Sequence, residues 1–128
     1  MREIFYPNSV AVIGVSARPT NLARNIVANL IEYGFQGAVY AVGTAGGTIE
    51  THRIYQSVLD IPDDIGLAVI LTPAKTVPGI MDECGKKGIR RVIIETAGFR
   101  EYGDQGRQLE LDMVAIAKKY TIRFVGPN

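Results

Sequence analysis

Residues with a capacity for chemistry come first at Gly14-Val15-Ser16-Ala17-Arg18-Pro19-Thr20. This run follows a β-branched stretch, Ser9-Val10-Ala11-Val12-Ile13, and leads into a helical pattern. Gly14 permits a tight turn, Ser16 offers a hydroxyl, and the free N–H groups at a helix start suit an anion. Arg18 adds a permanently charged fork that matches phosphate. The loop therefore reads as a phosphate site in preference to a plain strand-to-helix turn. It is not a dinucleotide fingerprint, because Ser16 and Pro19 stand where G-x-G-x-x-G requires small residues. Nor does a carboxylate end the second strand: Val42 runs into Gly43-Thr44-Ala45-Gly46-Gly47. An NAD(P)-binding reading is left as a minor alternative, and no G-x-x-x-x-G-K-[ST] loop occurs.

Two further strand exits carry small residues and a hydroxyl, Thr72-Pro73-Ala74 and Glu95-Thr96-Ala97-Gly98-Phe99. Small residues there would let a ligand pass close to the backbone. Other reactive side chains read as bland. The single histidine, His52, is expected in a surface loop, and the single cysteine, Cys84, on the buried face of a helix. Asp63-Asp64 and Asp82-Glu83 read as solvated charge in a turn and on a helix. The cluster Lys86, Lys87, Arg90 and Arg91 reads as solvated surface at the edge opposite the ligand.

The elements that must hold these exits follow from periodicity. Ser9–Ile13, Leu67–Leu71 and Arg91–Ile94 are near-continuous apolar runs, as strands covered on both faces should be. Ala38–Val42 and Ile122–Val125 are further strands, with a short sixth around Arg53-Ile54-Tyr55. Leu22, Ile26 and Leu30 set a helix over Asn21–Tyr33, capped by Thr20 or Asn21 and ended by Gly34. Helices are also predicted over Lys75–Lys87, stopped by Gly88, and over Asp104–Tyr120, with one helical turn in Ser57–Pro62. The alternation predicts an α/β fold: a doubly wound, mainly parallel sheet of five to six strands with helices on both faces. Ligands of such sheets bind beyond the strand carboxyl ends, where strand order reverses, and the first strand borders that point.

Composition sets the outer bounds. The chain has 128 residues, enough for one domain spanning 1–128, with 47% hydrophobic residues and no tryptophan. Its net charge of +1 supplies no field for nucleic-acid binding. One cysteine and one histidine exclude a disulfide framework and a cysteine- or histidine-rich metal centre. The longest apolar runs hold about six residues, far below the ~20 that span a bilayer. No signal-peptide core follows Met1, so a soluble, cytoplasmic protein is expected.

Four motifs add a resemblance. They are Asn8–Ser16, Tyr55-Gln56-Ser57-Val58-Leu59-Asp60-Ile61-Pro62, Glu95-Thr96-Ala97-Gly98-Phe99 and Lys119–Asn128, which ends Gly126-Pro127-Asn128. In this order and spacing the chain resembles, over its whole length, the CoA-binding domain of NDP-forming acyl-CoA synthetases. That family includes ADP-forming acetate–CoA ligases, the succinate–CoA ligase α subunit and protein-lysine acetyltransferases carrying the same module. The resemblance implies a Rossmann-like fold holding CoA or acyl-CoA. The cofactor contacts it implies fall on Gly14, Ser16, Ala17, Arg18 and Pro19, then Thr72, Pro73 and Ala74, then Glu95, Thr96 and Ala97. Ala45 occupies the place of a lysine usual in the family, and Asn21 and Ala23 replace a lysine and a glycine. Arg24, Arg53 or Lys75 would be the compensating cations.

The resemblance further implies that catalysis needs other domains or subunits, which carry the phosphohistidine and the nucleotide site. No catalytic residue is expected in this chain, and no acyl-CoA synthesis by it alone. A stand-alone regulatory CoA-binding module is the alternative, and homo-oligomers are compatible with either.

Overall fold

The computed structural model describes residues 8–96 and 98–127, with the backbone alone for Arg100. Among these residues the sheet has seven strands: β1 (Ser9–Ile13), β2 (Ala38–Val42), β3 (Thr48–Ile49), β4 (His52–Tyr55), β5 (Leu67–Ile70), β6 (Arg91–Ile94) and β7 (Arg123–Val125). Their spatial order is β3-β4-β2-β1-β5-β6-β7. Every pairing is parallel except β3 with β4. The strand beyond the expected five to six is β3, a two-residue antiparallel arm. So short an element leaves no periodicity to read.

The helices are α1 (Leu22–Glu32), α2 (Val77–Lys87) and α3 (Asp104–Tyr120). Because strand side chains alternate between faces, β1 feeds two cores. Val10 and Val12 pack with Ala23 and Val27 of α1. Ala11 and Ile13 pack with Met81 and Cys84 of α2 and Met113 of α3 on the other face. Both faces of β1 are thus dry, which is why its sequence is apolar throughout. The helix ends follow their local chemistry. Asn21 caps α1 by accepting from the Arg24 N–H, and Gly88, at φ 92°, ends α2 in the left-handed region. The predicted α2 start at Lys75 moves to Val77, because a 3-10 turn, Ala74–Thr76, intervenes.

Three side-chain expectations change. His52 lies in β4, half-buried, and its Nδ1 is buried without a hydrogen-bond partner among the described atoms. Antiparallel pairing with β3, where His52 stands opposite Ile49, draws it out of the expected surface loop. Lys87 and Arg91 are half-buried rather than solvated: Lys87 Nζ donates to the Ile61 carbonyl, and Arg91 buries its Nε. Asp82 is structural. It accepts from Tyr120 Oη at 2.9 Å and pairs with Lys86 at 3.2 Å, tying α2 to α3.

Cys84 is fully buried, as its helical spacing predicts. Burial, and secondarily the Glu83 carboxylate, pushes its thiol from 9.0 up to about 12. The folded state thus favours the neutral thiol. Its contribution to stability is complete below the unfolded value of 9.0 and is lost as pH rises toward 12. A disulfide reagent at pH 8 is expected to leave the native chain unlabelled and to label it at once in denaturant. Fast native labelling would mean that α2 opens readily.

Candidate functional site

At their carboxyl ends β2, β1 and β5 lie side by side, with β1 central. From β1 the chain leaves through α1 to β2 on one side, whereas β5 stands on the other. This is the reversal point where the sheet edge opens. A cleft of about 530 Å³ lies there, lined by residues from four strand exits and α2. That volume falls within the ordinary range of small-molecule sites.

The β1–α1 loop forms one lip of the cleft, and Asn21 braces it. Asn21 Nδ2 donates to the Gly14 carbonyl at 3.0 Å, and its Oδ1 accepts from the N–H groups of Ser16 (3.3 Å) and Arg24 (2.7 Å). Ser16 Oγ accepts from the Arg18 N–H at 3.3 Å, and Arg24 Nη1 donates to the Ser16 carbonyl at 3.2 Å. The loop is therefore preset before any ligand arrives. Its internal bonds also consume part of the helix start: Leu22 and Ala23 keep N–H groups without a partner among the described bonds, while Arg24 does not.

Two glycines let the backbones meet here. Gly14 sits at φ +116°, and a Cβ on it would come within 2.6 Å of the Leu71 carbonyl oxygen. A Cβ on Gly43 would lie 1.9 Å from the Val15 carbonyl oxygen. The β1 and β2 exits are consequently closer than any side chain allows.

The predicted site residues divide among several places. Gly14, Ser16, Thr72 and Pro73 line the main cleft. Thr72 and Pro73 also border a neighbouring hollow of about 220 Å³, together with Glu95, Thr96 and the α1 start at Asn21, Leu22 and Ala23. Thr96 is buried and donates from Oγ1 to the Thr72 carbonyl at 2.8 Å, locking the β5 and β6 exits together. Ala17, Arg18 and Pro19 are exposed along the loop, and Glu95 is exposed at its strand end. Ala74 is buried, so its side chain serves the core. Ala97 lies outside the described residues.

Ala45 is exposed in a turn closed by the Gly46 N–H on the Gly43 carbonyl at 3.0 Å. Of the named compensating cations, Arg24 reaches the loop. Arg53 instead lies over the Tyr55 ring at 4.7 Å, and Lys75 over the Tyr102 ring at 5.1 Å.

Several lining residues escaped the sequence reading: Thr44, Gln56, Ser57, Thr76, Ile80 and Glu83. Ser57 Oγ donates to Glu83 Oε1 at 2.6 Å, so Glu83 is engaged in the cleft and not simply solvated on a helix. Thr76 Oγ1 donates to the Pro73 carbonyl at 2.6 Å and shares a 2.7 Å hydrogen bond with Thr72 Oγ1, bridging the β5 exit to the foot of α2. Tyr55–Pro62 was legible as a motif, yet nothing in it reveals that Ser57 meets a residue 26 positions away. Among the described residues no group of three metal-ligating side chains occurs, and no helix is long and apolar enough to cross a membrane.

Comparison with known proteins agrees with this geometry. The chain is 46% identical to the α subunit of an ADP-forming acetate–CoA ligase I of Pyrococcus furiosus, covering 100% of this chain and 29% of that protein. With the ADP-forming acetate–CoA ligase II of Archaeoglobus fulgidus it shares 45% identity, over 100% of this chain and 19% of the relative. The dinucleotide-forming acetyl-coenzyme A synthetase 1 of Ca. Korarchaeum cryptofilum superposes with a TM-score of 0.90 at 36% identity, covering 99% of this chain and 27% of that one. The chain therefore spans less than a third of the length of these relatives. Residues 8–128 match the family described as CoA binding domain, and the chain, with its Rossmann-like sheet and its cleft at the strand carboxyl ends, belongs to that family and takes coenzyme A as its ligand.

Proposed function

We propose that this chain is the CoA-holding part of an ADP-forming acid–thiol ligase, placing CoA or acyl-CoA across the β1–α1 lip and the cleft beside it. The observation that carries the reading is the preset loop. Asn21 holds Ser16 and the α1 start in place, Arg24 bonds the Ser16 carbonyl, and Arg18 is exposed on the same loop beside the cleft. A phosphate on this lip would meet oriented N–H groups and two guanidinium neighbours. The relatives named as ligases are three or more times longer than this chain. Nucleotide binding and phosphohistidine chemistry are accordingly assigned to other domains or subunits. This chain's own contribution is to orient the thiol-bearing cofactor toward them. Its working compartment on this reading is the cytoplasm. Parallel calorimetric titrations with CoA, ADP and NAD test the proposal. Saturable CoA binding that exceeds both others is expected; a preference for NAD would overturn it.

The exposed Ala45 offers a graded test. Its turn adjoins Thr44, which lines the cleft, so a lysine there would stand on the lip. Ala45→Lys is expected to tighten CoA binding by roughly two- to fivefold, the scale of an exposed ion pair worth up to ~1 kcal/mol. Raising the salt concentration should erase the gain. An unchanged affinity at low salt would show that the ligand phosphates lie away from this turn.

A further inference from the structure

The cleft has an unusual charge for a site whose ligand carries phosphates. Among its lining residues, Glu83 is the one ionisable side chain. Arginines lie outside it: Arg18 is exposed on the loop, and Arg24 is bonded to the Ser16 carbonyl at the lip. The walls are Ile13, Val42, Val58, Leu71 and Ile80. A phosphate moved inward would leave the cations and approach a carboxylate across apolar surface, which is unfavourable on both counts.

Position and bonding then define what Glu83 can accept. Thr76 at the cap position of α2 and Ile80 and Glu83 within the helix follow one another on one side, so the cleft descends that helix. Glu83 lies seven residues beyond Thr76, ~10 Å at the helical rise, away from the β5 exit that Thr76 bridges. Ser57 Oγ accepts from the Leu59 N–H at 3.1 Å, which directs its own proton to Glu83 Oε1. Glu83 Oε2 has no partner among the described hydrogen bonds. The pair thus offers an oriented acceptor on the α2 wall of a mostly apolar slot.

We propose that the Ser57–Glu83 pair is a specificity device that accepts an N–H from a neutral group of the ligand, the exocyclic amine of a purine base, and keeps anionic groups at the lip. The inference rests on the CoA reading above and deepens it. A flat base satisfies the slot as no flexible chain does: its faces meet branched aliphatic side chains, and its donor edge meets the carboxylate. A base with a carbonyl in place of the amine would set an acceptor against Glu83 in the same pose, and its neighbouring ring N–H would reach the carboxylate only after the base shifts in the slot.

The test titrates this chain and Glu83→Gln with CoA, with the CoA analogue whose base is hypoxanthine, and with pantetheine. Circular dichroism and thermal midpoints confirm that the variant is folded. The wild type is expected to bind CoA about 10- to 30-fold more tightly than the hypoxanthine analogue, as a site built to receive a donor should. In Glu83→Gln the preference should shrink to about threefold or less, because an amide can turn either its carbonyl or its NH₂ to the base. Equal wild-type binding of CoA and the analogue overturns the proposal while leaving CoA recognition intact. A preference that survives unchanged in Glu83→Gln also overturns it. Pantetheine binding that is itself weakened by Glu83→Gln would reassign the acceptor to the pantetheine amides and sink the base assignment. Failure of the wild type to bind CoA would instead remove the underlying reading.

Discussion

Gly43→Ala is expected to destabilise the fold by about 3–5 kcal/mol, combining steric overpacking with the loss of one or two backbone hydrogen bonds. The added methyl would lie 1.9 Å from the Val15 carbonyl oxygen and 3.4 Å from Ile54 Cγ2. Neither neighbour can withdraw cheaply. Gly14 and Val15 both donate their N–H groups to the Val42 carbonyl at 2.9 Å, and Gly43 itself donates to Tyr55 at 2.8 Å. Relief of the clash therefore requires the β1 and β2 exits to separate, which also opens the cleft. A domain of this size has only ~5–15 kcal/mol of stability, so the loss should be plain in urea unfolding as a lower midpoint. Gly79→Ala is the matched control. Its added methyl meets nothing within 4 Å in the first turn of α2, so it should leave stability unchanged or raise it by up to about 1 kcal/mol. Similar midpoints for the two variants would show that the close approach of the two exits does not constrain the fold.

The second large effect concerns Arg18. Arg18→Ala should weaken CoA binding by about 1.5 kcal/mol, near tenfold, at low ionic strength, the lower end of the range for a charged hydrogen bond. The lower end applies because the side chain is exposed, and water and salt screen what it does. Its backbone is fixed all the same: the Arg18 N–H donates to Ser16 Oγ, and its carbonyl accepts from the Asn21 N–H at 3.0 Å. Stability should hardly move, whereas the affinity loss should shrink as salt rises. Arg18→Lys should recover part of the loss, since it retains the charge without the fork. An unchanged dissociation constant in Arg18→Ala at matched salt removes this residue from the phosphate lip. Arg24→Ala makes a useful contrast, because Arg24 is tied to the Ser16 carbonyl and its removal should loosen the loop as well.

Legibility in the sequence tracks the range of the interactions. β1 and β5 are buried on both faces, and β6 is buried on one and half-covered on the other, so their apolar runs had no competing explanation. Helix α1 showed its extent, its Asn21 cap and its Gly34 stop because all three are local, but its buried line runs through Ala23 and Val27, and Leu22, at the head of the expected stripe, is 61% exposed. The β1 exit suggested an anion site for the same reason: glycine, hydroxyl, arginine and helix start fall within a few consecutive residues. Ser57 and Glu83 gave no such signal. Each is an ordinary polar residue by itself, one a cap and the other a helix-surface acid, and their 2.6 Å contact exists only because α2 packs beside the turn after β4. His52 was misplaced on the same account, since a four-residue strand at the flank of the sheet is decided by its partners, β2 for Ile54 and Tyr55 and the two-residue β3 for His52 itself.

By itself, then, the sequence determined the alternation of strands and helices, and with it the parallel sheet and the edge at which the cleft opens. These are consequences of side-chain periodicity, backbone conformation at glycine and capping chemistry, all set by near neighbours along the chain. Tertiary structure alone decided how the predicted residues divide between the main cleft, the neighbouring hollow and the exposed lip. It also brought one carboxylate into an otherwise uncharged cleft and stationed the arginines outside it. The physical reason is that charge placement depends on which faces meet when β1, β2 and β5 align. That meeting is fixed by long-range packing and by close approaches such as Gly43 to Val15, which no local pattern encodes.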